Sequence, residues 1–157
     1  MLRRRLVRSV LPSLILAHCA GVARADQRPL LRVVRDPGCE CCSGWARHME
    51  QAGFDVRVEE RPRRDPLRRT SGAPPELVGC HVGLHDRFAF EGHVPAAAVR
   101  RFLADPGPWR GLAVPGMPVG SPGMEVSGVA PQTYEVVRFD HAGRWELFAR
   151  ARGQDLI

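Results

Sequence analysis

The stretch Asp36-Pro37-Gly38-Cys39-Glu40-Cys41-Cys42-Ser43-Gly44-Trp45 places three cysteines within four residues. It follows a short apolar run and precedes a pattern typical of a helix, so the cysteines lie where a strand turns into a helix. The first turn of a helix has free backbone N–H groups and the positive end of the helix dipole, and both favour thiolate over thiol. Because the thiolate binds metals and attacks disulfides, the stretch predicts a site of metal or redox chemistry.

The segments on either side of the cysteines predict a strand–helix–strand unit. Residues 30–35 form an apolar run suited to a central strand, and from Cys42 the apolar residues recur at helical spacing until Gly53, a typical helix C-cap. Residues 54–60 then alternate between apolar and charged side chains, as in a strand with one wet face. Two strands joined through a helix lie parallel, so the unit predicts an α/β fold.

The rest of the chain predicts two hairpins, a second helix and a stiff loop. The hairpins pair residues 77–84 with 87–91 and residues 134–139 with 144–148. Pro95 marks the start of the second helix, since proline is favoured in the first helical turn. A loop dense in proline and glycine covers residues 114–124, and we expect residues 150–157 to fray.

Composition limits the class of protein. The 157 residues are enough for one domain, and the formal net charge is +6. Five of the 23 basic residues fall in residues 1–25, which contain no acidic residue, so the remainder has 18 arginines against 17 acidic residues. We find no basic face with interleaved aromatic residues, and nucleic acid is therefore not a predicted partner.

Residues 1–25 are typical of a signal peptide. Arginines precede an apolar stretch, and Ala23-Arg24-Ala25 is the pattern that signal peptidase cleaves, here before Asp26. The apolar stretch is too short to span a membrane, so we expect no stable membrane insertion after cleavage. Twin-arginine export and a lipoprotein anchor at Cys19 remain alternative routes. The predicted product is a single periplasmic domain of residues 26–157.

Four cysteines remain after cleavage, and in an oxidising compartment two structural disulfides are one interpretation, in any of three connectivities. Three cysteines in four residues can cross-link very little chain, however, which argues against a purely structural role. Cys39 and Cys42 alone would suffice for a dithiol oxidoreductase, and Cys41 would be superfluous there. A soft metal uses the third sulfur, because thiolates prefer Cu(I) and can bridge two ions.

The loop contains Pro-Gly-Met twice, at Met117 and Met124. Methionine ordinarily fills gaps in a core, but a loop stiffened by proline and glycine offers little core to fill. A thioether is a soft, uncharged ligand that suits Cu(I), so we predict that both sulfurs bind copper.

Cys80 and His93 are further candidate ligands. We place Cys80 and His81 in one strand, where adjacent side chains point to opposite faces, so that at most one of them joins a given site easily. The other histidines, His48, His85 and His141, are predicted to be solvent-exposed or packing residues. Because four thiols, two thioethers and a histidine exceed what one Cu(I) can use, we predict a multinuclear site with bridging cysteines.

Four motifs together carry a resemblance to a known family: Cys39-x-Cys41-Cys42 before Trp45, Cys80-His81, Glu91-Gly92-His93-Val94-Pro95, and Gly111-Leu112-Ala113-Val114-Pro115-Gly116-Met117-Pro118-Val119-Gly120-Ser121-Pro122-Gly123-Met124. Over about residues 30–149 the chain resembles the exported copper-resistance proteins of the CopG type, long labelled as a domain of unknown function.

The resemblance implies a thioredoxin-like fold, with a central mixed sheet flanked by helices, and a role in periplasmic copper redox handling. It implies copper binding by Cys39, Cys41, Cys42, Cys80, His81, His93, Met117 and Met124.

Three functions fit these observations. The first is a periplasmic copper-binding protein for resistance, which holds Cu(I) and cycles it to Cu(II), as a copper oxidoreductase would. The second is a thiol–disulfide oxidoreductase in which Cys39 attacks and Cys42 resolves. The third is a copper chaperone that delivers to an export system, with other copper-resistance proteins as partners.

Overall fold

The computed structural model describes residues 28–62, 66 and 70–157, and the predicted signal peptide lies outside these residues. The strands are β1 Leu30–Arg35, β2 Asp55–Glu60, β3 His81–His85, β4 Phe88–Glu91, β5 Gly111–Ala113, β6 Thr133–Phe139, β7 Trp145–Arg152 and β8 Asp155–Leu156. The helices are α1 Glu40–Gln51 and α2 Ala96–Ala104, with a short 3-10 helix at Pro75–Leu77. No helix in these residues is long and apolar enough to span a membrane.

The eight strands of the described residues form one mixed sheet in the order β2-β1-β3-β4-β5-β6-β7-β8. β1 pairs in parallel with β2, and β4 with β5, whereas the other neighbouring pairs are antiparallel. The predicted parallel β1-α1-β2 unit and both predicted hairpins are therefore confirmed. The fold is a single α/β domain with a mixed sheet.

The sheet has an apolar core on each face, because successive strand residues point to opposite sides. The larger core combines Leu31 and Val33 of β1 with Trp45 of α1 and Phe102 of α2, so both helices contribute to it. The smaller core contains Val34 of β1 and Leu77 of the 3-10 helix. This packing fixes the start of α1 against β1 and β3, where the cysteines lie.

The start of β3 and the C-terminal strands differ from the sequence prediction: β3 begins at His81 rather than at residue 77. Residues 150–157 do not fray: β7 continues to Arg152 and pairs with β6, and β8 pairs back onto β7. Ala151 is fully buried in the larger core, which fixes this end of the chain. The residues of β5, to which the sequence pattern assigns no element, pair with both β4 and β6.

Candidate metal centre

The three clustered cysteines lie at the N-terminus of α1. Cys39 is the N-cap residue, and Cys41 and Cys42 lie in the first turn. A disulfide joins Cys39 to Cys42, whereas the sulfurs of Cys41 and Cys80 are in no disulfide. Cys42 is fully buried, while Cys41 and Cys80 are partly exposed. The Cys-x-x-Cys pair thus closes a small disulfide ring, with a further cysteine close to each of its sulfurs.

Cys80 comes to this cluster from a distant part of the chain. It immediately precedes β3, which pairs with β1, and its carbonyl accepts the N–H of Asp36 at 3.1 Å. Its Sγ lies 3.3 Å from the Sγ of Cys42, and the Sγ atoms of Cys39 and Cys41 are 3.6 Å apart. All four sulfurs lie within 4.8 Å of one another, an arrangement that could hold a metal ion.

Two histidines extend the cluster on the buried side. The ligand atoms of Cys80, His81 and His93 lie within 4.8 Å of one another, and both imidazoles are fully buried. The prediction that Cys80 and His81 could not readily join one site is wrong. β3 begins at His81, so Cys80 lies outside the strand and the alternation rule does not govern its direction. The Sγ of Cys80 is 3.5 Å from Nδ1 of His81.

The surroundings of His93 prepare its Nε2 to act as a ligand. Nδ1 lies 2.9 Å from the carbonyl oxygen of Pro122, which can only accept, so Nδ1 carries the proton and donates. Nε2 therefore has a free lone pair, and it is buried without a hydrogen-bond partner. Burial lowers the pKa of His93, so the imidazole stays neutral. A metal-binding histidine ordinarily has its other nitrogen held in this way.

His81 is held by aromatic neighbours. Its ring centroid is 4.6 Å from the indole of Trp45 and 5.0 Å from the ring of His93. The indole is itself fixed, because its Nε1 donates to the carbonyl of Val94 at 2.8 Å. α1 therefore contributes Trp45 to this region as well as the cysteines, and His81 packs against the Trp45 indole.

The two methionines lie on the loop that covers this region. Met117 is 61% exposed, and it lines a cavity of about 190 Å³ together with Cys80 and His93. Met124 is half-buried and follows Gly123. The loop backbone reaches α1 at Gly123, where a Cβ would come within 2.6 Å of the Trp45 backbone nitrogen. The loop thus touches the helix turn that carries Cys41 and Cys42.

The electrostatic surroundings of Cys80 and Cys39 differ. Burial, and then the negative charge of Cys41, raise the pKa of Cys80 to about 11, so this residue is a thiol at neutral pH. The guanidinium of Arg35 donates to the carbonyl of Cys39 at 2.8 Å and pairs with Glu60 at 2.6 Å. A metal that binds at Cys80 must displace a proton, so its affinity should increase with pH.

Two residues that position the site were missed from the sequence. Arg35 holds the backbone of Cys39, and the buried carboxylate of Glu91 accepts the N–H of Gly79 at 3.1 Å, next to Cys80. A signal for Glu91 was available, because a carboxylate that ends the apolar strand Phe88–Glu91 is unlike its neighbours. Arg35 offered no comparable signal, since an arginine at the end of a strand is ordinary.

The remaining histidines lie apart from the cluster. His48 is half-buried on α1, and its Nε2 accepts the N–H of Ala96 at the start of α2 at 3.0 Å. Nδ1 of His85 lies 2.7 Å from the carbonyl of Leu30. His141 is exposed.

The donor set of the centre is soft. It offers four cysteine sulfurs and a neutral, buried imidazole nitrogen, with a thioether on the wall of the adjoining cavity. Thiolate and thioether select soft ions, and imidazole also suits copper. The cluster is therefore compatible with copper, provided that the Cys39–Cys42 disulfide is reduced before both of its sulfurs act as ligands.

The chain resembles solved structures of known description. Two structures, described as "Copper resistance protein copG- Form 1" and "Copper resistance protein copG- Form 2", are each 36% identical to it with a TM-score of 0.72. The matches cover 80% and 79% of this chain and 100% and 98% of the respective structures.

A sequence model of the family described as "Protein of unknown function, DUF411" matches residues 77–124, which include Cys80, His93 and both loop methionines. No curated protein matches the chain in sequence. The resemblance inferred from the motifs is confirmed, and the chain belongs to the family of the copper resistance protein CopG.

Proposed function

We propose that this protein binds copper as Cu(I) and thereby contributes to copper resistance. The observation that carries the proposal is the convergence of four cysteine sulfurs within 4.8 Å, with Cys80 shared between that group and two buried histidines. Thiolates bind Cu(I) tightly, and an ion held by the protein is less free to generate radicals. The proposed ligands are Cys39, Cys41, Cys42, Cys80, His81, His93, Met117 and Met124.

The proposed site holds more than one copper ion, with cysteines as bridging ligands. Eight donors exceed the two to four that one Cu(I) uses, and thiolates can bridge two ions. Support for His93 comes from its buried Nε2, which has no hydrogen-bond partner. Support for Met117 comes from its place on the wall of the cavity that Cys80 and His93 also line. The mixture of sulfur and nitrogen donors also supports cycling between Cu(I) and Cu(II), since imidazole binds both.

Titration of the reduced, exported protein with Cu(I) tests the proposal. We expect saturation above one equivalent of copper under anaerobic conditions, in competition with a chromophoric Cu(I) chelator. Copper K-edge absorption of the loaded protein is expected to show predominantly sulfur ligands. Saturation at one equivalent or less would refute the multinuclear site, and retention of zinc in preference to copper would refute the choice of metal.

Loss of both loop methionines is expected to weaken copper binding. Leucine replaces methionine with little change in volume, so the double variant M117L/M124L removes two thioethers and leaves the packing nearly unchanged. We expect Cu(I) affinity to fall about 10- to 100-fold, as for other losses around a metal site. The variant L103M/L147M, altered away from the loop, is a control that should bind copper normally. Unchanged affinity in the double methionine variant would remove both residues from the proposed ligand set.

A second candidate function is thiol–disulfide exchange with other proteins. The Cys39–Cys42 disulfide favours it, because Cys39 lies at the N-cap of α1, where the helix dipole stabilises a negative charge. The methionine variant separates the two functions. A loss of Cu(I) affinity with unchanged disulfide reductase activity supports copper binding, whereas the reductase alternative requires measurable turnover that depends on Cys39 and Cys42.

We propose the periplasm as the location, on the strength of the signal-like pattern in residues 1–25, and N-terminal sequencing of the exported protein for a start at Asp26 tests it. We also infer a thioredoxin-like core in the order β2-β1-β3-β4. The parallel β1-α1-β2 unit, followed by an antiparallel hairpin and α2, supports this inference. Copper delivery to an export system remains the alternative role and requires a protein partner that binds the copper-loaded form.

A further inference from the structure

The four sulfurs of the centre form a chain in space. Cys39 and Cys42 are bonded, and each has beside it a cysteine that is in no disulfide. The thiol of Cys80 is 3.3 Å from the sulfur of Cys42, and the thiol of Cys41 is 3.6 Å from that of Cys39. The disulfide is thus in contact with a possible attacking group at both ends.

We propose that Cys80 exchanges with the Cys39–Cys42 disulfide, so that the singly oxidised protein interconverts between a Cys39–Cys42 isomer and a Cys42–Cys80 isomer. Cys80 is mostly a thiol near neutral pH, so it must first lose its proton. Its thiolate, a minor species, then attacks the sulfur of Cys42, and the Cys42–Cys80 bond forms as the Cys39–Cys42 bond breaks. Cys39 leaves with the bonding electron pair as a thiolate, and the proton that Cys80 gave up ends on a free thiol or in solvent. The exchange needs no external oxidant or reductant, and it does not depend on copper.

The distances favour Cys80 as the attacking group at Cys42. A disulfide bond is about 2.05 Å long, so the two sulfurs must approach by little more than ~1 Å. Cys42 is fully buried, which shields its sulfur from thiols in solution, whereas Cys80 already touches it. The burial of Cys42 therefore favours attack on its sulfur by Cys80 over attack by a thiol in solution.

The surroundings of Cys39 favour it as the leaving group. It lies at the N-cap of α1, where the helix dipole stabilises a negative charge, and the Arg35 guanidinium donates to its carbonyl. Burial also suits the two products, since an uncharged disulfide tolerates burial and a charged thiolate requires solvent. The uncharged Cys42–Cys80 bridge contains the fully buried sulfur, whereas the released thiolate of Cys39 is partly exposed.

The exchange would change which thiols the oxidised protein presents. In the Cys42–Cys80 isomer the disulfide links α1 to the start of β3, and Cys39 and Cys41 become a free Cys-x-Cys pair. Both residues are partly exposed, and their sulfurs lie 3.6 Å apart. A protein oxidised once would therefore still offer two adjacent thiols to a soft ion or a soluble disulfide.

Peptide mapping distinguishes the two isomers. The chain has no lysine, so trypsin cuts only after arginine and releases Cys39, Cys41 and Cys42 on peptide 36–47 and Cys80 on peptide 70–87. Copper-free exported protein is oxidised until two thiols remain, incubated anaerobically at pH 8, quenched with acid, alkylated with N-ethylmaleimide and digested. We expect at least about a tenth of the disulfide to link the two peptides, which corresponds to a free-energy difference of about 1.4 kcal/mol or less between the isomers.

Cysteine variants identify the sulfurs involved. C41S should still link the two peptides, whereas C80S should contain only the internal bridge of peptide 36–47. C39S, mildly oxidised, should form Cys42–Cys80 rather than a bridge to Cys41, as fragment ions of the linked peptides will show. The proposal is overturned if wild-type protein shows no link between the peptides after about a day, since uncatalysed rearrangement takes minutes to hours. It is also overturned if C39S bridges through Cys41. Neither result bears on copper binding, which is measured on the reduced protein.

Discussion

The variant G123A is expected to be less stable than wild type by about 2–5 kcal/mol. Two costs add at this position. Gly123 has a φ of +85°, a conformation that costs other residues about 1–2 kcal/mol. Its Cβ would also meet backbone atoms of α1, 2.6 Å from the nitrogen of Trp45, and such overpacking costs about 1–3 kcal/mol.

The loop offers a matched control for the first of these costs. Gly116 lies in the same loop with a φ of +75°, but a Cβ there would have no atom within 4 Å. G116A should therefore show only the conformational cost of about 1–2 kcal/mol. Thermal unfolding monitored by circular dichroism should show midpoint decreases of about 4–20 °C for G123A and about 2–8 °C for G116A, because 1 kcal/mol shifts Tm by about 2–4 °C at this size.

The partner of Gly123 on the helix provides an independent check. A Cβ on Gly44 would lie 2.7 Å from the Cα of Gly123, although Gly44 itself is an ordinary helical residue. Alanine is better than glycine in a helix by about 1 kcal/mol, so any loss of stability in G44A must come from the contact with the loop. If G44A is stabilised and G123A equals G116A, the loop does not pack on α1 as described.

Local sequence signals explain why the β1-α1-β2 unit could be predicted. The apolar run of β1, the alternation in β2 and the glycine at the end of α1 each depend on a few neighbouring residues. Gly53 indeed has a φ of +90°, the left-handed conformation expected after a helix. The position of the three clustered cysteines follows from these elements, because the cysteines lie between the end of β1 and the first turn of α1.

The position of Cys80 could not be predicted in the same way. It meets Cys42 across 38 residues because β3 pairs antiparallel with β1, and a single sequence does not state the order of strands. A shift of a few residues in the predicted start of β3 also reversed the conclusion about His81. Residue type alone groups Cys80 with the other cysteines, and the resemblance to a family adds His81, which strand alternation had separated from Cys80.

The C-terminal strands show how a polar sequence can hide regular structure. β7 has eight residues, of which only Ala151 is fully buried, and two partly buried residues pack beside it in the core. An edge region with one wet face needs few apolar residues, so its pattern is weak. β5 has only three residues, and it is held by pairing on both sides rather than by its own sequence.

Formation of the disulfide is expected to lower Cu(I) affinity by at least about 100-fold. Changes among residues that merely orient metal ligands cost 10- to 100-fold, and the disulfide removes two candidate thiolates outright. It leaves two cysteines per oxidised chain outside the disulfide, Cys41 and Cys80 in the described structure. We expect the copper load to fall to one equivalent or less, against more than one in the reduced protein.

Anaerobic competition titrations of the same preparation before and after oxidation measure this difference. Reduction with a phosphine followed by its removal should restore the full copper load, which shows that the loss is reversible. The double variant C39S/C42S cannot form this disulfide and lacks both of its sulfurs, so its affinity should already be low under reducing conditions. Equal affinity of oxidised and reduced wild-type protein would show that Cys39 and Cys42 are not copper ligands.

The preference of Cu(I) for the reduced protein must also change the reduction potential of the Cys39–Cys42 disulfide. A ligand that binds the reduced form more tightly stabilises that form, and each tenfold preference raises the potential of a two-electron couple by about 30 mV. A 100-fold preference therefore makes the disulfide easier to reduce by about 60 mV when Cu(I) is saturating. Bound copper would in this way favour the reduced form of Cys39 and Cys42 in an oxidising compartment. The disulfide in turn would release copper when the supply of reductant falls, since the coupling between the two equilibria is reciprocal.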